Sequence, residues 1–139
     1  MTDRGKRPKP GRKSKKKLAE IPPPTNDQDE TPTFCLGHLA PKYGVSALEQ
    51  AGQAAFAQTL EQRSRLTWQQ IAQSDRHGQG TELLPINDIK AAVPDRFSDQ
   101  AKVMIFRYHG KKPMVGVRVG STFHVLWIEK TFGDLYDHG

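Results

Sequence analysis

The sequence predicts an α+β fold in which a helical hairpin packs on one face of an antiparallel β-meander. Two observations support this prediction. Residues 46–75 carry two apolar patterns at helical spacing, separated by a brief link. The last forty residues contain β-branched and aromatic runs divided by short turns that contain glycine or lysine. The expected element order is β-α-α-β-β-β, and 139 residues suit one domain with an extension.

The first strand is expected within "TFCLGHL" (Thr33–Leu39), at an edge of the sheet. The longer helix is expected in "SALEQAGQAAFAQTLEQ", where Ser46 and Glu49 have the spacing of a capping box. Thr67 and Gln70 repeat that spacing ahead of a shorter helix in "RLTWQQIAQS". The next segment, "ELLPINDIKAAVPDRF", is ambiguous and is assigned at most one helical turn.

The meander is expected in "AKVMIFRY", "PMVGVRV", "TFHVLWIE" and the closing "DLYDH". Gly120-Ser121 suits a type II′ hairpin, and a two-residue turn fixes the register of its strands. One face is then mostly aliphatic and includes His124, which we interpret as a core residue. The opposite face carries two arginines and two aromatic residues, namely Arg107, Arg118, Phe123 and Trp127.

Arginines and aromatic rings on an open sheet face are typical of a platform for single-stranded nucleic acid. Guanidinium groups hold phosphate, and each ring stacks on a base for roughly 1–3 kcal/mol. Lys111 and Lys112, at the tip of the preceding hairpin, could also hold phosphate, although lysines there often serve solubility alone. The alternative is that Phe123 and Trp127 pack a second core layer while the arginines form its rim.

Charge divides the chain at residue 33. The first seventeen residues carry nine Lys or Arg against one acid, and a proline-rich, acidic stretch follows. We therefore expect residues 1–32 to be a disordered tail and linker, and residues 33–139 to form the domain. A basic tail is compatible with RNA binding and equally with a solubilising arm.

Several function classes are disfavoured by composition. No run of eighteen apolar residues is present, so we expect no membrane partner. The single cysteine, Cys35, forms no internal disulfide and no C-x-x-C zinc site, and it suggests a cytoplasmic protein.

The segments "RLTWQQI", "PMVGVRVGSTFHVLWI" and "LYDHG" resemble the RelE/ParE-like toxin superfamily, over about Thr33 to Gly139. The resemblance is mainly one of architecture. It implies a small cytoplasmic toxin that cleaves mRNA, often on the ribosome, and that a co-encoded antitoxin protein neutralises. It also implies catalytic roles for Arg118 on the central strand and for Tyr136 and His138 at the end. The order Tyr-Asp-His differs from the adjacent His-Tyr of family members, and the basic tail is not usual among them.

Such cleavage needs no metal or other cofactor. The 2′-hydroxyl attacks the neighbouring phosphate, a base removes its proton, and an acid protonates the leaving 5′-oxygen. Histidine suits either proton role, and Glu129 is the expected base if His138 is the acid. Strand alternation places Tyr136 and His138 on one face if the closing segment pairs at the sheet edge; the alternative is a frayed end. A non-enzymatic module that binds RNA, the ribosome or a protein through the same fold is the competing function.

Overall fold

The computed structural model describes residues 27–75 and 80–138. They form an α+β structure with one main helix and a five-stranded sheet, which confirms the predicted class. The strands are β1 (Thr33–Cys35), β2 (Thr81–Pro85), β3 (Lys102–His109), β4 (Lys112–Val119) and β5 (Thr122–Ile128). The helices are α1 (Gln50–Arg63) and α2 (Trp68–Ala72), and short 3₁₀ turns occupy Asp27–Asp29, Val45–Ala47, Ile86–Asp88 and Asp95–Phe97.

The sheet has the order β1-β5-β4-β3-β2, with β1 parallel to β5 and all other pairs antiparallel. The segment "ELLPINDIKAAVPDRF", which the sequence left ambiguous, begins with strand β2, paired with β3, and the helical turn assigned to it is the 3₁₀ turn Ile86–Asp88. One prediction about the strands is wrong. The closing "DLYDH" is not a strand, because residues 130–136 form turns and bends and residues 137–138 have no regular structure.

Local capping chemistry explains where α2 begins, but not where α1 begins. Thr67 and Gln70 form the predicted capping box: the Thr67 hydroxyl accepts from the Gln70 N–H at 3.1 Å, and the Gln70 side chain accepts from the Thr67 N–H at 2.9 Å. The box predicted at Ser46 and Glu49 is wrong. Ser46 lies in a 3₁₀ turn, and α1 begins after Glu49 without a side-chain cap. Since α2 has only five residues, the predicted hairpin is one long helix and one short one.

A β-bulge changes the predicted register of the central hairpin. Gly120 has a φ of +63°, as a type II′ turn requires, and Arg118 pairs with Phe123 as predicted. Beyond Gly116 the register shifts, so Val115 lies opposite Trp127 instead of Leu126. The extra residue in β5 moves Trp127 to the face opposite Phe123.

Both faces of the sheet are covered by core residues. The helix-covered face packs under α1 and α2 and includes Phe56, Trp68, Phe106, Met114, Phe123, Val125 and Ile128. The loop-covered face packs under residues 86–97 and the C-terminal segment, and it includes Val103, Ile105, Val115, Val117, Trp127, Leu135 and Tyr136. Phe123 and Trp127 are both fully buried. The predicted open stacking face is therefore wrong, because both rings are core residues, although they lie on opposite faces of the sheet and not in one second layer.

The folded region begins before the predicted boundary at Thr33. Asp27–Asp29 form a 3₁₀ turn, and the Trp68 N–H donates a hydrogen bond of 2.9 Å to the carbonyl of Glu30. Pro32 is buried. The predicted disorder of residues 1–26 lies outside the described residues. Among residues 27–75 and 80–138, no helix has the length and apolar character needed to cross a membrane.

Candidate active site at the end of strand β5

Glu129 follows β5 directly and organises the chain beyond it. Its side chain is fully buried, and its carboxylate accepts a 2.9 Å hydrogen bond from the Leu135 N–H. The same carboxylate contacts His138 Nε2 at 3.0 and 3.2 Å. Pairing of this kind stabilises a charge that burial alone would make costly. A carboxylate with no exposed surface is not accessible to a substrate hydroxyl, which contradicts its predicted role as the base.

The C-terminal segment is fixed by these contacts and by Lys90. The Lys90 N–H donates to the Leu135 carbonyl at 2.7 Å, and Lys90 Nζ pairs with Asp137 Oδ1 at 2.9 Å. Lys90 Nζ also donates to the Gly133 carbonyl at 3.1 Å. His138 is therefore neither paired at a sheet edge nor frayed, since a buried carboxylate and a looped backbone hold it in place.

Two aromatic rings contact the imidazole of His138. The ring of Phe132 stacks on it with centroids 3.8 Å apart, and the ring of Tyr136 lies at 4.2 Å. Burial raises the pKa of Tyr136 to about 12, an effect that Arg107 opposes and that Glu82 and Glu129 reinforce. The phenol therefore keeps its proton at neutral pH, and its hydroxyl can both donate and accept a hydrogen bond.

Arg107 lies beside Tyr136 and supplies a positive charge. Its Nη2 pairs with Glu82 Oε1 at 2.7 Å, and both side chains are mostly buried. Arg107 Nε and the Tyr136 hydroxyl are buried polar atoms that have no hydrogen-bond partner among the described residues. Both atoms have almost no exposed surface, so neither is open to a substrate, and Arg107 lies close enough to lower the pKa of Tyr136. We call Glu82, Arg107, Glu129, Phe132, Tyr136 and His138 the C-terminal cluster.

The structure thus brings together four of the residues selected from the sequence: Arg107, Glu129, Tyr136 and His138. Lys112 lies close to them, because its Nζ donates to the carbonyl of Lys130 at 3.3 Å. Lys111 is exposed at the hairpin tip and makes no contact with the cluster that would position it.

Arg118 lies elsewhere. Arg118 pairs with Phe123 on β5, and Phe123 is six residues before Glu129. At roughly 3.3 Å per residue, that separation is about 20 Å. Its guanidinium lies 4.1 Å from the ring centroid of Trp68, and Nη1 donates to Gln28 Oε1 at 2.7 Å. Burial lowers the pKa of Arg118, and Asp27 opposes that shift. These contacts join the N-terminal 3₁₀ turn to α2 rather than form a phosphate site with His138.

Arg118→Ala is therefore expected to lower the free energy of unfolding by about 1–2 kcal/mol, because it removes a cation–π contact and two hydrogen bonds. Urea unfolding measures the change. Arg65→Ala is the control, since its ion pair with Glu61 is exposed and should contribute less than about 1 kcal/mol. RNA cleavage should survive in Arg118→Ala; loss of cleavage at unchanged stability would return Arg118 to the site.

Sequence reasoning missed a second group of side chains. Cys35 lies opposite His124 in the parallel pairing of β1 with β5, and His38 follows Cys35 by three residues. One potential ligand atom from each residue lies within 4.8 Å of the other two. The spacing C-x-x-H at residues 35–38 was the available signal. That spacing could not identify the third residue of the group, because His124 is distant in sequence.

No family model, curated protein sequence or solved structure matches the chain. The resemblance to RelE/ParE-like toxins stays a prediction from the sequence.

Proposed function

We propose that the chain is a metal-independent endoribonuclease in which His138 exchanges the proton. The observation that carries the proposal is the contact between His138 Nε2 and the buried carboxylate of Glu129, at 3.0 Å. Because Nε2 faces Glu129, Nδ1 is the ring nitrogen that is left for a substrate. A carboxylate that holds the second nitrogen of an imidazole fixes its tautomer and its orientation.

In the proposed reaction, neutral His138 accepts the proton of a ribose 2′-hydroxyl. The 2′-oxygen forms a bond to the adjacent phosphorus, the bond from phosphorus to the 5′-oxygen breaks, and water protonates the leaving oxygen. The resulting hydroxide takes the proton from His138, which returns to its neutral form. The products are a 2′,3′-cyclic phosphate and a 5′-hydroxyl. Glu129 serves as a positioning residue instead of a base. Arg107 takes the role first given to Arg118, since its charge lies next to Tyr136 and stabilises negative charge that develops on the phosphate.

The test uses single-stranded RNA with one candidate cleavage step and a matched strand with a 2′-deoxyribose there. We expect cleavage of the all-ribose strand only, cyclic-phosphate ends, and no effect of a metal chelator. A preparation of His138→Gln, purified in parallel, reveals any contaminating nuclease. Cleavage of the deoxy-substituted bond, or equal cleavage by both preparations, would contradict the proposal.

A second candidate function is a non-enzymatic RNA- or protein-binding module. The observation that favours it is the burial of the C-terminal cluster, since the Tyr136 ring is 3 % exposed and the Arg107 side chain 11 %. In that case Glu129 and His138 only fasten the end of the chain. The same assay separates the two candidates, because a module of this kind binds the strand without shortening it.

The resemblance to RelE/ParE-like proteins supports a place for the ribonuclease in a toxin–antitoxin pair in the cytoplasm. Induction of the chain should then arrest growth, and co-expression of a small neighbouring open reading frame should restore it. If cells that contain the active enzyme grew at the normal rate, the toxin role would be wrong, while the ribonuclease activity would still stand.

A further inference from the structure

A set of three soft and borderline metal ligands lies at the other end of the loop-covered face. His124 is five residues before Glu129 on β5, or about 16 Å at roughly 3.3 Å per residue. The parallel register of β1 on β5 places Cys35 next to His124 on the same face. The chain then turns, and His38 returns to the same point, with its ring centroid 5.7 Å from that of His124.

His124 is nearly buried, and one of its ring nitrogens has no partner among the described residues. The residue is 8 % exposed, and its Nδ1 is a buried polar atom without a hydrogen bond among the described residues. The ring of Phe97 packs against it at 5.2 Å. Burial, and next the neighbouring His38 and Arg96, lower the pKa of His124. The unpartnered Nδ1 makes His124 a candidate ligand.

We propose that Cys35, His38 and His124 form a binding site for Zn²⁺. Thiolate and imidazole are the ligands that zinc prefers, and three protein ligands leave a fourth position for water or another ligand. The three ligand atoms already lie within 4.8 Å of one another, so a tetrahedral site with bonds of about 2.0–2.3 Å needs only small side-chain rotations. His38 also lines a largely apolar cavity of about 340 Å³, together with Tyr43, Val93 and Pro94.

Arg96 competes with the proposed metal for the imidazole of His38. Its Nη1 lies 3.2 Å from His38 Nε2, where it donates to an unprotonated nitrogen. If Nε2 binds zinc, Arg96 loses its acceptor. If Nδ1 binds zinc, Nε2 carries the proton and cannot accept. Either way Arg96 must move, and because its side chain is exposed it is free to do so.

Zinc at this position joins β1 to β5, two segments that are far apart in sequence. β1 has only three residues and sits at the sheet edge. A ligand that binds the folded state raises the free energy of unfolding. Zinc at this site would therefore stabilise the pairing of the short strand β1 with β5.

The test uses the full chain, reduced and stripped of metal, in a titration with Zn²⁺ followed by calorimetry. We expect one equivalent to bind and the melting temperature to rise. Co²⁺ should give tetrahedral ligand-field bands and a thiolate-to-cobalt charge-transfer band, a signature that reports on Cys35 without any mutation. Absence of that band, or absence of stoichiometric zinc binding, would overturn the proposal.

Variants locate the metal. Cys35→Ser and His124→Gln should each weaken Zn²⁺ binding more than the roughly 10–100-fold that loss of an outer-shell partner costs. His109→Gln, a histidine on β3 outside the site, should bind like the unmodified chain. Arg96→Gln should bind zinc more tightly, because it removes the competing donor. Equal affinity in Cys35→Ser and the unmodified chain would place any bound zinc elsewhere and overturn the proposal.

Discussion

Replacing His138 with glutamine is expected to lower the rate of RNA cleavage about 10²–10⁴-fold, the usual contribution of one general acid or base. Glutamine keeps an N–H donor for the buried carboxylate of Glu129, so the C-terminal segment should stay folded. Alanine would remove the contact with His138 and leave the Glu129 carboxylate with only the Leu135 N–H of these two partners. Single-turnover cleavage and thermal unfolding, measured on the same preparation, separate a catalytic loss from a structural one.

His109→Gln is the matched control, since it changes a half-buried histidine that lies outside the C-terminal cluster. It should cleave RNA at the unmodified rate. If His138→Gln also retained full activity, the imidazole would have no proton role. The contact with Glu129 would then be a device for fastening the end of the chain.

Gly116→Ala is expected to reduce the free energy of unfolding by more than about 3 kcal/mol, beyond the usual cost of overpacking. Gly116 lies opposite Val125 where the β-bulge begins. A Cβ there would overlap the carbonyl oxygen of His124 and approach the ring of Phe123 to 3.1 Å. Backbone cannot rotate away as a side chain can, so β4 and β5 would have to separate in the middle of the sheet.

Urea unfolding of Gly116→Ala is compared with that of Gly44→Ala. Gly44 has a φ of −95° and no atom within 4 Å of a built Cβ, so its replacement should change stability by less than about 0.5 kcal/mol. Equal stability of the two variants would mean that the bulge relaxes to admit a methyl group.

The features that the sequence predicts well are those determined by adjacent residues. Thr67 and Gln70 form their capping box because both partners lie within one turn. Gly120 adopts a positive φ because the type II′ turn depends on two central residues. The α+β class follows in the same way from the spacing of apolar residues, which has the period of a helix in one region and of strands in another.

Apart from the Ser46–Glu49 capping box, the features that sequence reasoning missed depend on distant partners. The extra residue in β5 has no local signature, so Trp127 was assigned to the wrong face. Lys90 and Glu129 hold the closing "DLYDH" segment in turns, whereas the alternation of its side chains predicted a strand. The candidate site was partly found, because Glu129, Tyr136 and His138 lie close in sequence as well as in space. Cys35 and His124 were not connected, since only the parallel pairing brings them together.

The parallel pairing of β1 with β5 has a consequence for the order of folding. Strands β3, β4 and β5 are joined by tight hairpins, so their contacts close short loops at little entropic cost. Thr33 and Thr122 pair although they are 89 positions apart in the sequence (122 − 33). Non-local contacts of this kind are slow to form, and three residues contribute few hydrogen bonds once formed. We therefore expect strand β1 to dock last and to detach first, so its amide protons should exchange faster than those of β3, β4 and β5.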